Sequence, residues 1–197
     1  AVSPLAALAL LGALGGAEAA DIPMIDAHSQ IDQHVDPDDI VPLLDAAGIA
    51  RVILAARGKV GPETIARLAR GHPNRITASV RTKGGSYRKN SLKYYERLDT
   101  QLAMAEFAAM AEVILWHAEK TGRDGAVKAP QAIVPPDDAR VRTALQAAIA
   151  RGWPFVIHIE FAAAGPDAVP FMAKMETMLA AHPDHPFALT HMGQLGP

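Results

Sequence analysis

The sequence predicts an α/β fold, a TIM-type (β/α)8 barrel of which this chain carries about six βα units. Three observations predict it. Apolar runs of strand length alternate with helical patterns about every 30 residues, the rhythm of repeated βαβ units. The runs are rich in Val, Ile, Leu and Phe without clean alternation, as in parallel strands covered on both faces. Histidines close three of the runs, which places chemistry at strand C-termini, where such barrels keep their sites. No Gly-rich phosphate loop follows the first run, which disfavours an open dinucleotide-binding sheet.

The candidate strands, in order, are Met24 to His28, Arg51 to Ala56, Ile76 to Val80, Ala111 to Trp116, Phe155 to His158 and Phe187 to His191. Helices fill the intervals. Asp36-Pro37-Asp38-Asp39 supplies a cap and an early proline, Ile40, Leu43, Leu44 and Ala47 form one face, and Gly48 is a stop. Ile65, Leu68 and Ala69 mark a second helix, and Tyr95, Leu98 and Leu102 a third. After Pro136-Asp137-Asp138, the residues Val141, Leu145, Ala148 and Ile149 repeat the spacing up to Gly152. Phe171, Met175, Met178 and Leu179 do so again before His182-Pro183. Such Met and aromatic stripes read as core packing.

The 197 residues are 50% hydrophobic and 20% charged with a formal net charge of -2, an ordinary globular composition. No basic run points to nucleic acid or to an anionic membrane. There is no cysteine, which excludes disulfides, thiolate chemistry and a Cys-type zinc site. Leu5 to Leu14 is almost purely Leu, Ala and Gly, and Ala17-Glu18-Ala19 follows it. A short apolar core before A-x-A reads as a signal peptide, residues 1–19, lacking its basic leader and Met. It is too short to span a bilayer, which takes roughly 20 apolar residues. The expected location is secreted or periplasmic, with no membrane contact once the leader is removed. The barrel domain then covers 20–197 and stops after the sixth strand. Closure needs eight strands and about 250 residues, so the expectation is a piece of a longer chain that is poorly soluble or inactive alone.

His28, His158 and His191 end the first, fifth and sixth predicted strands. In a parallel barrel all strand C-termini share one face, so the three can converge there. Imidazole is the commonest neutral metal ligand near pH 7 and the commonest general base. Three at one mouth could bind a divalent ion, acidify its water and move the proton. A core or loop role is the plainer reading of any one of them; their shared placement argues for a cluster. Arg57 follows the second strand, and Arg81 with Lys83 the third, where guanidiniums could clamp a substrate carboxylate. Trp116, His117 and Glu119 follow the fourth. Glu160, two beyond His158, is either a partner of that histidine or a loop charge, and the latter is favoured. His34, His72, His182 and His185 lie beside Pro or Asp and read as surface residues.

Ile25-Asp26-Ala27-His28, Pro154-Phe155-Val156-Ile157-His158 and Leu189-Thr190-His191-Met192-Gly193 resemble the strand-1, strand-5 and strand-6 signatures of the amidohydrolase superfamily. They are closest to its amidohydrolase-2 branch, related to aminocarboxymuconate semialdehyde decarboxylase. The resemblance runs from about Met24 to Leu195. It implies one catalytic metal, usually zinc, held by a His-x-His pair, a strand-5 His and a strand-8 Asp, with the strand-6 His beside it. Carried over, His28 and His158 are metal ligands and His191 the strand-6 histidine, an acid/base residue or a ligand of a second metal, with the catalytic role preferred. Gln30 stands at the second ligand position, and the aspartate has no counterpart before the chain ends. A glutamine carbonyl is a poorer zinc ligand than imidazole. A metal-independent site, as in some lactone hydrolases of the branch, therefore stays open. The resemblance also gives His117 and Glu119 a pocket role beside Arg57 and Arg81.

The expected activity is hydrolysis of a small carboxylated or cyclic substrate by activated water, the chain being free or homo-oligomeric. Decarboxylation at the same site is the first alternative. The second is a non-catalytic exported protein that binds a small ligand.

Overall fold

Residues 22–160 and 165–193 are described by a computed structural model. The apolar leader lies outside the described residues. Six strands form the body of one sheet: β1 (Met24–Ile31), β2 (Ile49–Ala56), β3 (Ile76–Val80), β4 (Phe107–His117), β8 (Phe155–Ile159) and β9 (Phe187–Leu189). Each pairs in parallel with the next in that order. The sheet curls into a partial TIM-type barrel with helices between the strands. Three short strands sit between β4 and β8. β5 (Lys120–Thr121) and β6 (Val127–Ala129) make a hairpin, and β7 (Ala132–Ile133) pairs antiparallel with Trp116 and His117 at the end of β4.

The helices follow from local chemistry. The Asp36 side chain accepts from the Asp38 amide and opens a 3-10 turn that leads into α1 (Ile40–Ala46). Pro62 sits in the first turn of α2 (Pro62–Gly71), where its missing N–H costs nothing. α3 (Gly85–Arg88) and α4 (Leu92–Leu102) connect β3 to β4. α5 (Ala139–Arg151) is capped by Asp138, which accepts from the Arg140 amide, and closes on Gly152 at φ 64°, the left-handed region glycine enters without strain. α6 (Ala168–Ala180) returns the chain to β9.

The core lies between sheet and helices. Val52 and Leu54 of β2, Ile76 and Val80 of β3, and Met110, Val113 and Leu115 of β4 are buried, as are Phe155, Ile157 and Ile159 of β8. Burial of every β8 side chain explains why that strand reads as an unbroken apolar run. Phe155 meets Phe187 edge to face at 5.9 Å, which seats β9 on β8.

The strands depart from the sequence expectation at their ends, and the departures shape the site. β1 continues past His28 to Ile31, so Ser29 and Gln30 are strand residues rather than the start of a loop. With a period of two, His28 and Gln30 share one face. β9 ends at Leu189, and His191 belongs to a following 3-10 turn with its own φ at +55°. The short helix α3 and the strands β5 to β7 are additions too brief for any periodicity to reveal.

Phe155→Ala should cost about 3–5 kcal/mol by opening a cavity at a fully buried position. Val169→Ala, at a 74% exposed site on α6, should stay within about 0.5 kcal/mol. Urea unfolding of the two variants checks the contrast.

Candidate active site at the strand C-termini

A carboxylate sits at the centre of the site. Glu112, on β4, is 6% exposed. Its Oε2 lies 2.7 Å from His28 Nε2, 3.0 Å from the Gln30 amide nitrogen and 3.3 Å from Lys83 Nζ. Its Oε1 lies 2.7 Å from His158 Nδ1. The other nitrogen of that ring, Nε2, is 2.7 Å from Oε1 of Glu160. Glu160 is 1% exposed, and its Oε2 accepts from the Ala118 amide at 2.7 Å. His158 is thus held between two carboxylates, one at each ring nitrogen.

The charges explain one another. Burial alone would push the Glu112 carboxyl upward, but bonds to His158 and His28 and the nearby Lys83 charge hold it well below the usual range. Burial would likewise depress His158, yet Glu112 and Glu160 together raise it above its ordinary value. The Glu160 carboxyl, raised by burial, is brought below its usual range by the Ala118 amide and His158. For Lys83, burial outweighs the attraction of Glu112 and the ammonium is depressed. Burial is also the main cause that lowers His117, opposed by Glu160. An unpaired buried charge would cost several kcal/mol, so the cluster holds together as a unit.

A cavity of about 620 Å³ opens above this floor, lined among others by His28, Gln30, Glu112, His158 and His191. Arg57, Arg81, Lys83 and Lys120 line it too, giving it a cationic wall. His191 is exposed and its ring stands edge-on to His158, centroids 5.2 Å apart. The His117 ring lies tilted against His158, centroids 5.4 Å apart. Of the residues the sequence singled out, His28, Gln30, Arg57, Arg81, His117, His158 and His191 line the one cavity. Glu119 is exposed and does not line it. Glu160 is buried against His158, not the loop charge favoured from sequence.

Two residues central to this geometry went unmarked in the sequence. Glu112 had a signal: a lone acid inside Met110-Ala111-Glu112-Val113-Ile114-Leu115, a run too apolar to be solvated, demands a buried partner. Lys120 had none. It reaches the mouth because the hairpin folds back, putting Nζ 3.9 Å from Glu160 Oε1.

The resemblance to metal-dependent enzymes can be weighed on the donors present. Among the described residues, the ionisable donors that gather within 4.8 Å of one another are those of His117, His158 and Glu160. Two imidazoles and a carboxylate are a fitting set for a zinc-class ion and leave room for a further ligand. The trio His28, Gln30 and His158 meets instead through Glu112, which bridges the two rings.

No protein-family model matches the chain, and no curated protein matches its sequence. Solved structures do match its fold. A 2,6-dihydroxybenzoate decarboxylase from Rhizobium superposes with a TM-score of 0.53 at 15% identity, covering 87% of this chain and 67% of that one. A 2,6-dihydroxybenzoate decarboxylase complexed with 2,6-dihydroxybenzoate gives 0.50 at 14% identity over the same shares. A probable 2-pyrone-4,6-dicarboxylic acid hydrolase from Acinetobacter baumannii gives 0.42 at 10% identity, covering 85% of this chain and 57% of that one. These are likenesses of architecture.

Glu112→Gln should destabilise the chain by about 3 kcal/mol, since it leaves buried cations without their counter-charge. The pH profile carries the sign. Glu112, depressed in the native state, stabilises above its ordinary value near 4.5, and this is lost as pH falls. His158, raised in the native state, stabilises below its ordinary value near 6.5, and this is lost as pH rises through the raised one. Stability from the cluster should therefore be greatest between these limits, and thermal melts of Glu112→Gln should be flatter on both sides.

Proposed function

We propose that this chain is an enzyme of the amidohydrolase-2 type that hydrolyses a small carboxylated or cyclic substrate. The observation that carries the reading is a cationic cavity over three histidines and a buried carboxylate, at the C-terminal ends of parallel strands. Arg57 and Arg81 are placed to hold a substrate carboxylate at the wall. His191, at the rim beside His158, takes the proton from the attacking water as the new C–O bond forms. It returns that proton to the departing oxygen or nitrogen as the scissile bond breaks. His158, fixed between Glu112 and Glu160, does not move and keeps the floor of the cavity in place beneath the substrate. A divalent ion, zinc foremost, would be held by His158 with His117 and Glu160, and would polarise the carbonyl and acidify its water.

Decarboxylation is the second reading. The same wall would hold a carboxylate that leaves as carbon dioxide, with a histidine protonating the carbon. The shared architecture with dihydroxybenzoate decarboxylases favours it. Export is part of the proposal, on the strength of Leu5 to Leu14 and Ala17-Glu18-Ala19.

Carboxylated lactones followed by pH-stat, and hydroxybenzoates followed by carbon dioxide release, separate the two chemistries. His191→Asn should lower kcat by about 100-fold on the active class. Binding without turnover of either class would make the chain a ligand-binding protein instead. Equilibrium dialysis against zinc should show one ion per chain, with His158→Ala and His117→Ala each weakening uptake at least tenfold. Unchanged uptake in both variants would overturn the metal assignment.

A further inference from the structure

A second cavity, of about 560 Å³, adjoins the first, lined by the segment after β3, by α4 and by the N-terminal end of α2. The two share Gly58, Arg81 and Lys83, so these residues form a common partition. The second cavity adds Lys59 and Arg97 to that partition, against the single carboxylate of Glu63. Four cations lining one cavity with a single acid is a marked excess of positive charge.

Arg81 is the key to the arrangement. Its side chain donates to the Gly58 carbonyl at 3.2 Å, while its Nε is buried with no hydrogen-bond partner. Among the described residues its neighbours in charge are other cations. Burial first, then Arg97 and Arg57, lower its affinity for a proton. A guanidinium pressed among like charges, with a buried N–H to spare, lacks an anion. Arg97 is also lightly held: its one side-chain bond, to Ser86 Oγ, is 3.5 Å long. Glu112 serves Lys83 and lies on the far side, in the first cavity only.

We infer that the second cavity binds an acidic group, carboxylate or phosphate, of the same molecule whose reacting end occupies the first, so that the substrate is a polyacid straddling Arg81 and Lys83. This deepens the reading given under Proposed function and rests on it for the reacting end. Binding energy gathered at a remote anion site would also fix the reacting carbon in place. Arg97, Lys59 and Ser86 then become determinants of specificity, none of them near the histidines.

The test uses calorimetry on the whole chain and three variants: Arg97→Gln, Lys59→Gln and His28→Asn. The probes are linear dicarboxylates of increasing length, the matching monocarboxylates, and inorganic phosphate. Arg97 and Lys59 are exposed, so their variants should fold normally, as thermal melts verify. One diacid length should bind about tenfold more tightly than its monoacid. Arg97→Gln should erase that margin and Lys59→Gln should reduce it. His28→Asn should weaken monoacid and diacid alike and leave the margin intact. Absence of a length optimum, or a margin that survives Arg97→Gln, overturns the inference. Phosphate binding that depends on Arg97 without any diacid preference also overturns it, pointing to a separate anion. A margin that depends on Arg97 in a chain without turnover would leave this site standing and remove only the enzyme reading.

Discussion

The structure depends on how a buried negative charge is neutralised inside the sheet. Glu112 sits in the middle of β4, nearly buried at the floor of the cavity, where water solvates it poorly. It is stable there because His28 comes from β1, Lys83 follows β3 and His158 comes from β8. One carboxylate therefore links elements far apart in sequence, 84 residues separating it from His28. Glu160 extends the chain of charges and ties it to the backbone at Ala118. Removal of Glu112 would leave His28 and Lys83, both largely buried, without that counter-charge, so this one carboxylate holds the geometry together.

Much of this was legible in the sequence. All six parallel strands of the barrel body coincide with apolar runs, and for β3, β4 and β8 the reason is burial on both faces, which leaves little alternative composition. The helices declared themselves through caps and stops such as Asp138 and Gly152. His28 and His158 stood out because strand C-termini of a parallel sheet necessarily share one face. What stayed hidden was mostly pairing. Glu112 is visible as an acid in an apolar run, but its partners lie 29 to 84 residues away and no local pattern announces them. The β5–β6 hairpin and α3 are two to four residues long per element, below the length at which periodicity carries meaning. Glu160 read as a loop charge because nothing in the sequence shows that the chain stays buried one residue past β8.

The division of labour within the site follows from exposure. His158 and the two carboxylates are buried and mutually saturated, so they set the field of the cavity floor. His191, on a turn rather than in a strand, is exposed and meets solvent and ligand first. The cations along the wall come from two different strand ends and from the hairpin, so no single loop determines the charge of the mouth.

The hairpin between β4 and α5 touches the buried charges at a single corner. Its root is the Ala118 amide on Glu160, and Lys120 leans toward the same acid from outside. Everything further along it faces away from the packed interior. The entrance and the scaffold are thus mechanically separable: a lineage could lengthen, recharge or exchange this ribbon and alter which molecules gain admission, while the interior that keeps the barrel upright went on unchanged.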